Sequence, residues 1–167
     1  TARRNRNPAE VARAFSEVAG PRDCLMIAGQ AVARFVKLGR DPRIRVLSGL
    51  LPDATLRDVF CASDFVINHA QRYLTSAVVR AAISYGVPVI TYPYGTSLDM
   101  ARGAAIFIDE ESGGLDRALQ RALAVSPSEY EALAQAARER NVERTWEQAG
   151  MACADLYNRL IEAGKSL

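Results

Sequence analysis

Two polar loops, each following a short apolar segment, have residue types suited to binding a small molecule. The first, residues 68–76, contains His69, Tyr73, Thr75 and Ser76. Imidazole, phenol and hydroxyl groups both donate and accept hydrogen bonds. The loop also leads into a predicted helix, whose N-terminal amides favour an anion. We interpret it as part of a candidate small-molecule site, although such loops also serve as plain turns.

The second loop, residues 92–99, combines a glycine with hydroxyl groups and ends in an acid. Its candidate ligand-contacting residues are Tyr94, Gly95, Thr96, Ser97 and Asp99. A glycine lets the backbone approach a ligand closely, and hydroxyls supply adaptable donors. A third loop, residues 48–53, contributes Gly49 and Leu50. Ligands of open parallel sheets bind beyond the carboxyl ends of the strands, so we expect these loops to share one site.

The elements that would position these loops form an alternating pattern. Five short apolar runs occupy residues 24–29, 44–49, 64–68, 87–92 and 104–109. They are too short for helices and mostly lack alternation, which is typical of strands buried on both faces. Helical patterns separate them, so the sequence predicts a doubly wound, Rossmann-like parallel α/β sheet of five to six strands.

Helix boundaries are also readable. Asn7 is expected to cap a first helix with Pro8 in its first turn and Glu10 reaching back. Gly86 fits a left-handed helix end. After residue 109 only helices are predicted, over residues 115–124, 127–141 and a last one opened by a capping box at Thr145. The last helix is expected to face a core with Trp146, Ala149, Cys153, Leu156, Leu160 and Ile161.

The N-terminus lacks an expected strand. A doubly wound sheet normally begins with one, whereas the first helix is predicted to start near Pro8, after "TARRNR". We expect a single domain spanning residues 1–167, excised from a longer protein, with its first strand missing or truncated. Arg3, Arg4 and Arg6 in this segment form either a solvated tail or part of an anion site, because guanidinium groups match phosphate oxygens.

Composition excludes several classes of protein. The chain has 167 residues, of which 49% are apolar and 24% charged, as in ordinary globular proteins. No apolar run approaches the about 20 residues of a membrane span, and no signal-peptide pattern is present. The isolated Cys24, Cys61 and Cys153 are read as reduced core residues of a cytoplasmic protein. The net charge of +2 does not indicate a nucleic-acid partner.

Common cofactor motifs are absent from the sequence. There is no GxxxxGK[ST] and no GxGxxG after the first strand, which disfavours an ATP-type P-loop and a dinucleotide site. His69, the single histidine, has no cysteine or acid cluster at metal-ligand spacing. It is either a hydrogen-bonded structural residue or a ligand contact. We expect no metal and no resident cofactor.

The order and spacing of these segments resemble the C-terminal, nucleotide-sugar-binding domain of retaining GT-B glycosyltransferases. The branch is the one marked by two glutamates eight positions apart. The likeness runs from "RNPAEVARAF" through "IRVLSGLLPDATLRDVFCASDFVI" and "YGVPVITYPYGTSLD" to "TWEQAGMACADLYNRL". It implies one half of a GT-B fold that binds a nucleotide diphosphate-sugar, with an N-terminal acceptor-binding domain as partner. Membrane association is expected only through that other domain.

The resemblance also implies residue roles. Arg6 takes the place of a lysine that grips the donor diphosphate, and Gly49 and Leu50 that of the loop packing on the base. Gly95 and Thr96 correspond to the glycine-rich loop that approaches sugar and phosphate. The glutamate that follows that loop corresponds to Asp99. Arg6 and the amides near Thr75 and Ser76 would stabilise the departing diphosphate. We assign no catalytic residue.

The two motif glutamates fall, without a gap, on Tyr73 and Ala81. The family uses the first beside the donor sugar and the second to hold the ribose hydroxyls. Losing a charged hydrogen bond to a ligand costs about 1.5–3 kcal/mol, so donor binding is expected to be altered, weakened or lost. Two alternatives therefore stand beside an active transferase. One is a degenerate, non-catalytic binding module. The other is a sugar-nucleotide epimerase domain with His69 as its acid–base residue.

Overall fold

The computed structural model describes residues 7–30, 32, 41–70, 75–142 and 145–164. Across these ranges a helix comes first, strands and helices then alternate from the second strand onwards, and helices alone follow the last strand. The strands are β1 (Leu25–Gly29), β2 (Ile44–Ser48), β3 (Val66–Asn68), β4 (Val89–Thr91) and β5 (Ala105–Phe107). Each lies inside the apolar run that predicted it, so all five predictions are confirmed.

The helices also follow the predicted pattern, with one addition. They are α1 (Pro8–Val18), α2 (Asp53–Cys61), α3 (Ala77–Ser84), α4 (Ser97–Met100), α5 (Gly114–Leu123), α6 (Pro127–Val142) and α7 (Trp146–Gly164). The addition is α4, a single short helix inside the loop predicted at residues 92–99. A 3₁₀ turn at Glu110–Ser112 follows β5.

Every described strand pairing is parallel, as predicted, but the strands form two sheets rather than one. β1 pairs with β2, while β4 lies between β3 and β5. Among the described residues no strand lies between β1 and β3.

Helices cover both faces of the sheet formed by β3, β4 and β5, which confirms a doubly wound architecture. One core cluster packs α1 and α5 against β4 and β5 and includes Phe15, Ile90 and Leu119. The other packs α3 and α6 against the opposite face and includes Val79 and Ala137. All three residues of β4 are buried, as expected for a strand enclosed by helices.

The first sheet is less enclosed than predicted. Leu25 and Ile27 of β1 pack on the core cluster with α1, but Met26, on the other face, is 40% exposed. Burial of β1 and β2 on both faces was therefore wrong for the part of the chain that the structure describes. Within that part, helix α1 covers one face of β1 and nothing covers the other.

Helix ends show which local signals were reliable. Gly86 has φ 71°, and α3 ends in a Schellman motif with bonds from Gly86 N to Ile83 O and from Val87 N to Ala82 O. Thr145 forms its predicted capping box with Gln148 at the start of α7.

The predicted cap at the start of α1 was wrong. Asn7 is left-handed, with φ 33°, and makes no side-chain cap bond to the helix. Its amide instead donates to Glu10 Oε2 at 2.6 Å. Pro8 does occupy the first turn, as predicted.

The prediction that α7 faces a core was wrong. Every residue from Trp146 to Gly164 is exposed; Trp146 is 91% and Leu160 59% exposed. The apolar stripe of α7 is real in the sequence, but no described element packs on it. None of the helices in the described ranges has the length and apolar character that crossing a membrane requires.

The predicted burial of the cysteines was also wrong. Cys24, Cys61 and Cys153 are free thiols, as expected, but all three are exposed rather than in the core. Cys24 immediately precedes β1, Cys61 is the last residue of α2, and Cys153 belongs to the uncovered helix α7.

Candidate functional site

The carboxyl ends of β3 and β4 are joined by a buried polar pair. Asn68 Nδ2 donates to Thr91 Oγ1 at 3.1 Å, and Thr91 Oγ1 donates to the Asn68 carbonyl at 3.3 Å. Both residues are buried. This pair holds the starts of the two candidate loops side by side, as expected for adjacent parallel strands.

One residue beyond this pair, three side chains form a hydrogen-bonded chain across the sheet edge. Tyr92 Oη donates to Glu110 Oε1 at 2.5 Å and lies 3.0 Å from His69 Nε2. A phenol has a single proton. Because that proton is given to Glu110, His69 must donate from Nε2 to the phenol oxygen. The neutral ring then presents Nδ1 as an acceptor.

The other nitrogen of His69 is unsatisfied. Nδ1 is buried, has no hydrogen-bond partner among the described residues, and lies 3.9 Å from Glu10 Oε2. Burial lowers the pKa of His69 below its ordinary value, although the nearby carboxylates of Glu10 and Glu110 act to raise it. Desolvation is the larger effect, so the neutral imidazole is favoured. A buried acceptor without a hydrogen bond costs folding free energy, so Nδ1 of His69 is a position where a donor is missing.

The two candidate loops meet. Thr96 Oγ1 donates to Thr75 Oγ1 at 3.2 Å, and both threonines are exposed. Tyr94 stacks on Tyr92 with ring centroids 6.0 Å apart and remains 49% exposed. The hydroxyls of Thr75 and Thr96 and the phenol of Tyr94 therefore share one accessible surface at the sheet edge.

Two predicted ligand hydroxyls face the protein instead. Ser76 is buried, and its Oγ accepts a bond from Val79 N, which caps α3. Ser97 is completely buried at the start of α4. Asp99 lies in the same short helix and is half-buried. Ser76 and Ser97 therefore face the protein, and Thr75 and Thr96 present the exposed hydroxyls.

The glycines occupy the expected backbone positions. Gly95 has φ 56° and Gly49 has φ 135°, conformations that a side chain disfavours. Gly49 extends the β1–β2 ladder by donating to Gly29 O at 3.2 Å. Leu50, which follows it on the first sheet, is 90% exposed. Leu50 therefore lies on open surface and forms no wall with the other candidate residues.

Three predictions concern residues that correspond to the family's charged groups. Arg6 and Tyr73 lie outside the described residues. Ala81 lies in α3, half-buried, and its methyl group packs against the second core cluster. At Ala81 the structure thus has an apolar contact where the resemblance implies a carboxylate.

Glu10 and Glu110 were missed as site residues by the sequence. Glu10 was read only as a capping residue, and Glu110 belongs to a 3₁₀ turn that was not predicted. The available signal was topological, since Glu110 comes soon after the carboxyl end of β5, the neighbour of β4. Across the described ranges, no group of three or more His, Cys, Asp or Glu side chains is arranged to hold a metal ion.

Comparison with solved structures identifies the fold. Sucrose-phosphate synthase from Thermosynechococcus elongatus superposes with a TM-score of 0.76 at 19% identity, over 96% of this chain and 44% of that one. WaaG, a glycosyltransferase involved in lipopolysaccharide biosynthesis, gives a TM-score of 0.67 at 21% identity, over 91% and 44% of the two chains. AviGT4, a glycosyltransferase involved in avilamycin A biosynthesis, gives 0.63 at 17% identity, over 95% and 48%.

No protein-family model and no curated protein sequence matches the chain. The chain spans slightly less than half the length of each of these three solved structures. At such low identity the likeness is one of fold. The chain therefore has the fold of one Rossmann-like half of a GT-B glycosyltransferase.

Proposed function

We propose that this chain is the donor-binding half of a glycosyltransferase and binds a nucleotide diphosphate-sugar. The observation that carries the proposal is the meeting of the two loops after β3 and β4, joined by the Thr75–Thr96 hydrogen bond. They meet at the carboxyl edge of a parallel sheet, where ligands of this architecture bind. Exposed hydroxyls, the Gly95 backbone and the nearby N-terminus of α3 are suited to sugar and phosphate oxygens.

In this proposal the chain's residues bind and orient the donor, and no described side chain is assigned a covalent step. The first-turn amides of α3 would stabilise the charge that grows on the diphosphate as it leaves. Arg6 would add a guanidinium to the same phosphate group. The acceptor and its binding domain would lie in the remainder of the protein.

The test is calorimetric titration of the polypeptide that contains this chain with a panel of nucleoside diphosphates and their sugar conjugates. We expect binding of at least one conjugate, and weaker binding after Gly95→Val, because a β-branched residue is strained at φ 56°. Gly150→Val, in the exposed helix α7 where a Cβ meets nothing within 4 Å, is the matched control. A folded protein that binds no member of the panel at millimolar concentration would refute the proposal.

A second function, a degenerate binding module, is favoured by the apolar packing of Ala81. If it holds, the native protein binds no donor, and Tyr73→Glu with Ala81→Glu creates binding. Tight binding by the native protein would exclude it. The epimerase alternative has less support, since His69 is only 5% exposed and its Nε2 is engaged by Tyr92.

A further inference from the structure

Three aromatic rings lie in a row that runs from the interior of the protein to the surface of the candidate site. The ring centroids of His69 and Tyr92 are 5.4 Å apart, and those of Tyr92 and Tyr94 are 6.0 Å apart. His69 and Tyr92 are buried, whereas Tyr94 is 49% exposed. The planes of the two tyrosine rings differ by 18°, so Tyr92 covers one face of the Tyr94 ring. We define the exposed surface on the other side of this ring as the Tyr94 face.

The Tyr94 face is held in place by hydrogen bonds. Tyr94 N donates to Tyr92 O at 2.9 Å, and Ser97 N donates to Tyr94 O at 3.1 Å. The supporting ring of Tyr92 is fixed in turn by its bonds to His69 and Glu110. A ring that is already ordered loses little conformational entropy when a ligand packs on it. The Tyr94 face is therefore a preorganised apolar surface.

Exposed hydroxyl groups lie in the same loops as this apolar face. Thr96, two residues after Tyr94, donates its hydroxyl to Thr75 at 3.2 Å. A pyranose ring carries C–H groups on its faces and hydroxyl groups around its edge. An aromatic face with hydroxyl-bearing side chains near it is complementary to such a ring, because the C–H groups pack on the aromatic ring while the hydroxyls form hydrogen bonds.

The position of the hydroxyl pair favours a sugar over a nucleobase. Thr75 directly precedes Ser76, which caps α3, and the first-turn amides of α3 are the proposed diphosphate contacts. In a nucleotide diphosphate-sugar the transferred sugar is joined directly to the diphosphate, whereas the base is separated from it by ribose. The ring that packs near this helix start is therefore a sugar.

We propose that the Tyr94 face packs against the C–H face of the transferred sugar, and that this sugar is a pyranose. Tyr94 is then a specificity-determining residue that recognises one part of the donor. The inference rests on the proposed function, since it concerns the same ligand, and adds which part of the donor Tyr94 contacts.

Calorimetric titration of the polypeptide that contains this chain tests the proposal. The probes are UDP, ADP and GDP and the glucose, galactose and mannose conjugates of each. Tyr94→Ala should weaken the binding of the preferred conjugate by about 5- to 30-fold, whereas the affinity for the same diphosphate without its sugar should stay within about 2-fold. Tyr94→Phe keeps the ring and should retain the native affinity for both. Tyr157→Ala, at a 64% exposed position on α7, is the matched control and should change neither affinity.

Proton NMR of the bound conjugate gives a readout that does not depend on affinity. Protons above an aromatic ring are shifted upfield by its ring current. At saturating concentration the C–H resonances of the hexose should move upfield on binding to the native protein and to Tyr94→Phe, and this shift should be absent with Tyr94→Ala. Should Tyr94→Ala lower the unfolding temperature, Tyr94→Leu provides the same comparison, because it keeps an apolar side chain and removes the ring.

Each other outcome overturns the proposal. Equal losses of affinity for the conjugate and for the diphosphate after Tyr94→Ala would assign the Tyr94 face to the ribose or the base. A conjugate that binds the native protein and Tyr94→Ala equally well would refute the sugar contact and leave the proposed function intact. A folded native protein that binds none of the probes at millimolar concentration would refute the proposed function and this inference with it.

Discussion

The phenol oxygen of Tyr92 lies between the imidazole of His69, 3.0 Å from Nε2, and the carboxylate of Glu110, 2.5 Å from Oε1. These two hydrogen bonds connect the ends of β3, β4 and β5 at the edge where the candidate loops meet. They also fix the tautomer of His69 and leave its Nδ1 as an acceptor.

Tyr92→Phe should destabilise the protein by about 1–3 kcal/mol, because it leaves the buried Nε2–H of His69 without an acceptor. Urea unfolding monitored by circular dichroism measures this change in the free energy of unfolding. Tyr94→Phe is the control and should change the free energy of unfolding little, since Tyr94 is 49% exposed. Equal effects of the two substitutions would show that the Tyr92 hydroxyl is not paired as described.

The titration of His69 should lower stability in acid. Its pKa is below 6.5 in the folded state because burial disfavours the cation, so the unfolded chain binds the proton more readily. The contribution to stability is therefore highest above pH about 6.5 and is lost as the pH falls from there towards the folded-state pKa. His69 is the only histidine, so its imidazole resonance reports this pKa directly by NMR. A folded-state value above 6.5 would contradict the burial argument, and His69→Gln should remove this part of the pH dependence.

Thr75 and Thr96 should act together in donor binding. Thr75→Val and Thr96→Val each remove the inter-loop bond, and each should weaken donor affinity by about 2- to 10-fold. The double variant should bind no more weakly than the worse single variant, which gives a coupling energy of about 0.5 kcal/mol or more in a double-mutant cycle. Strictly additive losses would mean that the two hydroxyls contact the ligand independently.

Two glycine-to-alanine substitutions should have opposite effects on stability. Gly86→Ala should destabilise by about 1 kcal/mol or more, because φ is 71° and the new Cβ would meet Arg138 Cγ at 2.9 Å. Gly150→Ala should stabilise by about 0.5–1 kcal/mol, because Gly150 is helical and a Cβ there meets nothing within 4 Å. Thermal unfolding of both variants provides the comparison. A stabilising Gly86→Ala would show that α3 does not end in the left-handed turn.

Replacing a leucine by alanine should destabilise the protein strongly in α5 and only slightly in α7. Leu119→Ala, at 3% exposure in the first core cluster, should cost about 2–5 kcal/mol. Leu156→Ala, at 55% exposure on α7, should cost less than about 0.5 kcal/mol. The contrast is measured by denaturant unfolding of the chain from Thr1 to Leu167. A large loss at Leu156 would reveal that another surface packs on α7.

The sequence was sufficient for the order of elements and for most of their ends. Apolar run length, capping residues and glycines act over a few neighbouring positions, which is why β1 to β5, the Gly86 turn and the Thr145 capping box were all predictable. The sequence also predicted that the candidate loops share one sheet edge, because successive parallel strands end on the same side.

Only the tertiary structure decided which of those residues face outward, which face inward, and which meet. The stripe on α7 predicted a buried face, yet burial depends on a partner surface that periodicity cannot supply. Ser76 and Ser97 look like Thr75 and Thr96 in the sequence, but packing buries the serines and exposes the threonines. The hydrogen bonds of Tyr92 with His69 and Glu110, and the approach of His69 to Glu10, join residues distant in the sequence. No local pattern encodes such contacts, because they arise from the docking of separate elements.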